Sequence, residues 1–362
     1  MYTMLRRVCK HALVHILKNR TKDGMYMTGT SQTIRGAVIG YGGAFNMGRA
    51  HGNNMKRVGF DFVAACDLDP KRMEQASEEF PGIRTYTSVS ELLEQPDIDL
   101  VTVITPHNTH APLAEQVLRS GKHCILEKPM CIRAEEADLL VRLAREKGLM
   151  LSVFHNRRWD GWYLTVKELI DQGVIGDIFH VEMFMGGYNE PRDWWRENKQ
   201  ISGGAFYDWG AHYVDYLLGI VPGKIRSVRG YVHNRVWHQK TNEDQIDSTI
   251  LFESGAVAQI QISSIARAGK ARFRILGTKG AAEVWNSGEL NLYADVEGNN
   301  EKTTLQAQPE QHHRYYDNIA GHLLRGEELI VKPEEARRVI AVIETTERSA
   351  QEGRELLPPF EE

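Results

Sequence analysis

The chain has 362 residues, of which 42% are apolar and 25% charged, with a formal net charge of -4. That length exceeds one ordinary core and predicts two domains. The mildly acidic balance leaves no electrostatic footprint for nucleic acid, and no apolar run reaches the roughly 18 residues needed to span a bilayer.

Residues 1–32 stand apart as a basic extension. They carry six Lys and Arg against a single acid, Asp23, and Leu5, Val8, Ala12, Leu13, Ile16 and Leu17 fall on one helical stripe. A basic amphipathic helix is expected there. Lys10, His11 and His15 interrupt any secretory apolar core. An organellar presequence or a surface helix fits the pattern, but the favoured reading is a peripheral extension from an upstream start, with Met25 or Met27 beginning the compact domain. Cys9, Cys66, Cys124 and Cys131 form no close CxxC pair. Free thiols in a reducing cytoplasm are the expectation, and no His/Cys cluster has metal-ligand spacing.

From residue 33 the pattern is that of an α/β domain. The apolar run TIRGAVIG breaks into glycines, a helix-compatible stretch covers residues 47–57, and a second apolar run, FDFVAAC, ends at Asp67. Such a β–turn–α–β unit brings backbone N–H groups close to a pyrophosphate at a helix N-terminus. Gly40 and Gly42 supply the turn, but the sixth position is Phe45. Reading Gly43-Ala44-Phe45 as an insertion makes Gly48 the third small contact. A carboxylate at Asp67 can accept from both ribose hydroxyls of an adenosine and would repel a 2′-phosphate, so NAD is expected, with NADP use through Lys71 or Arg72 as the variant.

Strand and helix then alternate. DIDLVTVITP, HCILEKP and LMLSVFHN read as strands, with helices over HAPLAEQVLRSG and RAEEADLLVRLAREKG, the second stopped by Gly148. This alternation predicts a doubly wound parallel sheet over residues 33–155. Ligands in such sheets lie outside the carboxyl ends of the strands. Thr105-Pro106-His107-Asn108, Glu127-Lys128-Pro129 and His155-Asn156-Arg157 all fall on that edge, and Lys128 is expected to point into the cleft.

Residues 156–362 change rhythm. Runs such as IFHVEMFMGG, KIRSVRGYVHNRV, DSTILFES and AVAQIQISSIA are strand-like, often alternating, and a hairpin is expected at Glu253-Ser254-Gly255. A large, open, mostly antiparallel sheet follows, with helices on one face and the other face free for a subunit interface. Within this half, SGGAFYDWGAHYVDYLLG has helical spacing, which puts Asp208 and His212 on one face and Asp215 on a neighbouring line. Trp159, Trp162, Trp194, Trp195 and Tyr207 either form apolar platforms for sugar C–H faces or pack at the domain boundary.

Together, Glu127-Lys128-Pro129, the glycine turn at 40–48 and Asp208-x-x-x-His212-x-x-Asp215 resemble the Gfo/Idh/MocA oxidoreductase family over residues 33–350. FHNRRWDGWYLTVKELI further looks like the inositol and polyol dehydrogenases of that family. The resemblance implies a Rossmann domain, a second α/β domain with an open sheet, and homodimers or homotetramers built through that sheet. It also implies a catalytic trio of Lys128, Asp208 and His212. The cofactor contacts expected with it are Gly40, Gly42, Gly43, Ala44, Phe45, Asn46, Met47, Gly48 and Asp67, joined by Thr105, Pro106, Asn108, His110, Glu127, Lys128 and Arg157. The implied reaction moves a hydride between NAD and a secondary hydroxyl of a sugar, inositol or related polyol, without a metal. Relatives that use bound NAD to cleave glycosides, and sugar-sensing regulators without turnover, are the alternatives. A regulator would be expected to lack the lysine or the histidine, and both are present.

Overall fold

The computed structural model describes residues 33–43, 45–296 and 298–359. The basic extension 1–32 and the expected Ala44 contact lie outside these residues. From Ile34 onward the chain forms one compact unit.

The first layer runs β1 (Arg35–Ile39), α1 (Met47–Arg57), β2 (Asp61–Cys66), α2 (Pro70–Glu79), β3 (Arg84–Tyr86), α3 (Val89–Leu93), β4 (Leu100–Val103), α4 (His110–Arg119), β5 (His123–Leu126), α5 (Ala134–Lys147) and β6 (Leu151–Val153). All pairings are parallel, in the order β3-β2-β1-β4-β5-β6. Helices cover both faces, so β4 is buried at every position and its sequence, LVTV, reads as a continuous run rather than an alternation. The strand order reverses between β1 and β4, which opens a crevice at their carboxyl ends. Gly148 ends α5 in the left-handed region, with φ 63°, as the sequence predicts.

The second layer contains α6 (Gly161–Asp171), β7 (Ile178–Gly186), the one-turn α7 (Lys199–Ser202) and α8 (Ala205–Ile220). Strands β8 (Ile225–His233), β9 (Gln245–Phe252), β10 (Val257–Ser263), β11 (Phe273–Gly277), β12 (Gly280–Val284), β13 (Glu289–Val296) and β14 (Asn299–Gln306) follow, then α9 (Arg314–Arg325) and α10 (Pro333–Glu352). Among the described residues these strands form one sheet in the order β14-β13-β12-β11-β7-β10-β9-β8, antiparallel except where β7 meets β10. The β9–β10 hairpin turns through Glu253-Ser254-Gly255, with Gly255 at φ 88°. Along β9 buried and half-buried residues alternate strictly, and Ile246, Ile250 and Phe252 face the helices. Phe179, Tyr231 and Trp285 are among the apolar residues left exposed.

The last helix ties the layers together. Tyr315, Tyr316 and Ile319 of α9 pack with Val38 and Ile125 in the parallel layer. In α10, Ala336 and Ile340 join the core of the first layer while Val339, Val342 and Ile343 join that of the second. Helix α10 therefore spans the cores of both layers, while α9 is packed on the first.

Candidate active site

The site is a cleft of about 1110 Å³ running from the glycine turn and Asp67 to Lys128, Asp208 and His212. Gly40 has φ 86°, and a Cβ there would sit 2.5 Å from the Ile104 carbonyl oxygen. A Cβ on Gly48 would lie 2.5 Å from the Tyr41 carbonyl, so glycine lets α1 start directly against the turn. Asp67 accepts from Tyr41 N at 2.8 Å and Gly42 N at 3.3 Å, which ties the end of β2 to the turn. Arg72 lies across Gly42, where an added Cβ would come within 2.1 Å of its side chain. A strand, a glycine turn, a helix N-terminus and an acid at the next strand end fit a dinucleotide.

At the other end of the cleft, β5 delivers Lys128 and α8 delivers its partners. Lys128 Nζ donates to Asp208 Oδ1 at 2.5 Å and to the Asp208 carbonyl at 3.1 Å. Burial opposes the charge on Asp208, but Lys128, His107 and Arg196 outweigh it and hold the carboxyl at about 2. One turn on, His212 is buried, lines the cleft, and has an Nδ1 without a hydrogen-bond partner. Burial, reinforced by Lys128 and His155, holds its pKa well below the ordinary histidine value. A neutral imidazole, an ammonium and a carboxylate thus share one wall, a set suited to moving a proton at a hydroxyl.

Residues 34–155 match the oxidoreductase family's NAD-binding Rossmann fold, and residues 167–357 match its C-terminal α/β domain. The chain belongs to the Gfo/Idh/MocA oxidoreductase family. Its relatives include scyllo-inositol 2-dehydrogenase (NADP(+)) IolW of Bacillus subtilis, 29% identical over 95% of this chain and 99% of that protein. Another is the scyllo-inositol 2-dehydrogenase (NAD(+)) of the same organism, 30% identical over 68% of this chain and 72% of that protein. The WlbA dehydrogenase of Bordetella pertussis, solved in complex with NADH and UDP-GlcNAcA, has 26% identity. Its TM-score is 0.77, covering 91% of this chain and 100% of that one.

Within this oxidoreductase, Gly40, Gly42, Gly43, Phe45, Met47, Asp67, Thr105, Pro106, Glu127, Lys128 and Arg157 all line the cleft. Four expected cofactor contacts do not. Asn46 adopts a left-handed conformation (φ 48°) at the N-cap of α1, and Gly48 packs on Tyr41. Asn108 sits in a 3-10 turn just past Pro106, outside the lining. His110 is wholly buried, with Nδ1 2.7 Å from the Pro129 carbonyl and Nε2 2.8 Å from that of Thr105. It is wedged between the lysine loop and the threonine loop, and as a neutral ring it has one N–H, which donates to one of these carbonyls.

Asp215 is likewise structural, because Arg158 donates to both its oxygens at 2.6–3.1 Å. Trp159, Trp162 and Tyr207 are core residues, and Trp162 stacks on Phe273 at 3.9 Å. Asp160, Glu310 and His312 come together as in a cation site. The oxygens of Asp160, however, already take the Tyr216 hydroxyl at 2.5 Å, His312 Nε2 at 2.5 Å and Arg157 at 3.3 Å, a network that holds Arg157 at the cleft.

His107, Trp195, Arg196 and Trp209 also line the cleft. Arg196 lies over Trp194, Trp195 and Phe45 at 4.2–5.0 Å and stands 3.8 Å from Asp208. No periodicity marks it, because its place depends on the glycine-turn insertion meeting the second layer. Among the described residues no helix is long and apolar enough to cross a membrane.

Proposed function

We propose that this oxidoreductase is a dehydrogenase of sugars, inositols or related polyols, removing a hydride from a secondary carbinol carbon and a proton from its hydroxyl. The observation that carries the reading is the Lys128–Asp208 pair at 2.5 Å beside the buried His212, in the cleft that also holds the glycine turn. Nicotinamide, when bound, supplies the hydride acceptor. The glycine turn, Asp67 and Arg196 would hold the cofactor, with Arg72 lying across the turn at Gly42 and Arg196 over Phe45.

His212 takes the hydroxyl proton, a role its neutral form permits without prior deprotonation. Lys128 holds the same oxygen and stabilises the developing alkoxide. Asp208 orients Lys128 and accepts from a neighbouring hydroxyl. At this end of the cleft Lys128 is balanced by Asp208 and Arg157 by Asp160, so the charges favour a neutral polyhydroxylated substrate. The family relationship and the two scyllo-inositol dehydrogenases support that class. The exposed face of the eight-stranded sheet makes a homodimer or homotetramer part of the proposal.

Incubation with NAD and a panel of inositols, other polyols, free sugars and aryl glycosides tests the reading. Net NADH formation with an inositol or another polyol is expected. Aglycone release without net NADH would replace the proposal with redox-assisted glycoside cleavage.

A further inference from the structure

Glu127 is a carboxylate at the carboxyl end of β5, and it faces the cleft although its side chain is only 14% exposed. Its two oxygens are held from different directions. Oε2 accepts the Lys128 backbone N–H at 3.1 Å, and Oε1 lies 3.1 Å from His51 Nε2. Nδ1 of His51 is in turn 2.8 Å from the Tyr316 hydroxyl, and His51 is fully buried. A neutral imidazole with its proton on Nε2 satisfies this chain completely, donating to Glu127 while the Tyr316 hydroxyl donates to Nδ1. Glu127 then keeps a full negative charge that, among the described residues, no lysine or arginine pairs directly. Burial opposes that charge, but His51 and Lys128 hold the carboxyl below its ordinary value.

The cations of the cleft have other partners. Lys128 is paired with Asp208, Arg157 with Asp160, and Arg196 stands 3.8 Å from Asp208. Glu127 is therefore a fixed charge at the strand edge of the cofactor cleft, set in low-dielectric surroundings where a charge acts strongly on another charge nearby. The two forms of a nicotinamide cofactor differ in charge at the ring, which is cationic when oxidised and neutral when reduced.

We propose that Glu127 makes the site discriminate by redox state, tightening the oxidised cofactor relative to the reduced one through the ring charge. His51 and Tyr316 are the positioning residues that keep the carboxylate in place. The proposal rests on the NAD-binding fold and not on which hydroxyl compound is oxidised, so it stands or falls separately from the substrate assignment.

The test is equilibrium binding, without turnover. Dissociation constants for NAD+ and NADH, and for NADP+ and NADPH, are measured by fluorescence titration on the parent, Glu127→Gln and Glu127→Asp. In Glu127→Gln the ratio Kd(oxidised)/Kd(reduced) should rise on the order of tenfold for both pairs. Glu127→Asp, which keeps the charge, should stay near the parent ratio. An unchanged ratio in Glu127→Gln would overturn the proposal, as would an equal shift in Glu127→Asp, since the charge would then not be the cause. If Glu127→Gln folds poorly, the double variant Glu127→Gln/His51→Gln replaces the buried pair with two amides and carries the same two outcomes.

Discussion

Lys128 and Asp208, eighty positions apart, meet at 2.5 Å across the crevice between the two layers. The lysine comes from the end of a buried parallel strand and the aspartate from the first turn of α8. Their contact sets the charge state of the wall that also holds His212.

Replacing Lys128 or His212 with alanine should lower kcat by about a hundred- to ten-thousand-fold, the range of a positioned acid–base group. NAD affinity should change little in either variant. Steady-state rates together with cofactor titration check this, and near-normal kcat at saturating substrate would remove the residue from the assignment.

The pH profile of oxidation should show an unusually low acid limb. Burial, then Lys128 and His155, keep His212 neutral well below the ordinary histidine range. Since kcat/KM follows the free enzyme, its rise with pH should be complete before about 6.5. An apparent pKa at or above that value would mean that another group is the base.

Stability should fall in mild acid. His107 is pushed down to about 3, chiefly by burial, with His110 and Lys128 adding to it. Between about 6.5 and that value the unfolded chain binds the extra proton, so stability rises with pH and is lost progressively as pH falls through the window. Urea midpoints at neutral and mildly acidic pH measure the slope, which His107→Gln should reduce. Equal slopes in parent and variant would exclude His107 as a contributor.

NAD should be preferred over NADP by about tenfold or more in kcat/KM, at least ~1.4 kcal/mol of transition-state discrimination. The reason is the like charge that Asp67 presents to a 2′-phosphate. Asp67→Ala should narrow the preference and also weaken NAD, because the carboxylate holds the N–H groups of Tyr41 and Gly42. A clear NADP preference in the parent would mean that Arg72, which lies over the turn, governs the adenosine end.

Asp215→Ala should destabilise the fold by about 3–5 kcal/mol, as expected when one partner of a buried ion pair is removed. Arg158 would be left with Glu335 and the Ile330 carbonyl as its partners. Denaturant unfolding reads the loss. A variant of parental stability would show that the pair is not structural.

The sequence alone determined the alternation of strand and helix, the stop at Gly148, the β9–β10 hairpin and the edge on which Lys128 lies. Those features follow from local periodicity and turn chemistry, which act over a few residues. The spacing of Asp208 and His212 likewise placed both on one helix face. Only the tertiary structure decided which polar residues meet. Asp215 shares that helix but turns to Arg158, and His110 sits one residue beyond a cleft-lining threonine yet meets only carbonyls. Arg196 and His107 reach the cleft because α8 and its approach pack over the strand ends. Such contacts join residues far apart in the chain, and their partners are set by how two layers pack, which no local pattern encodes.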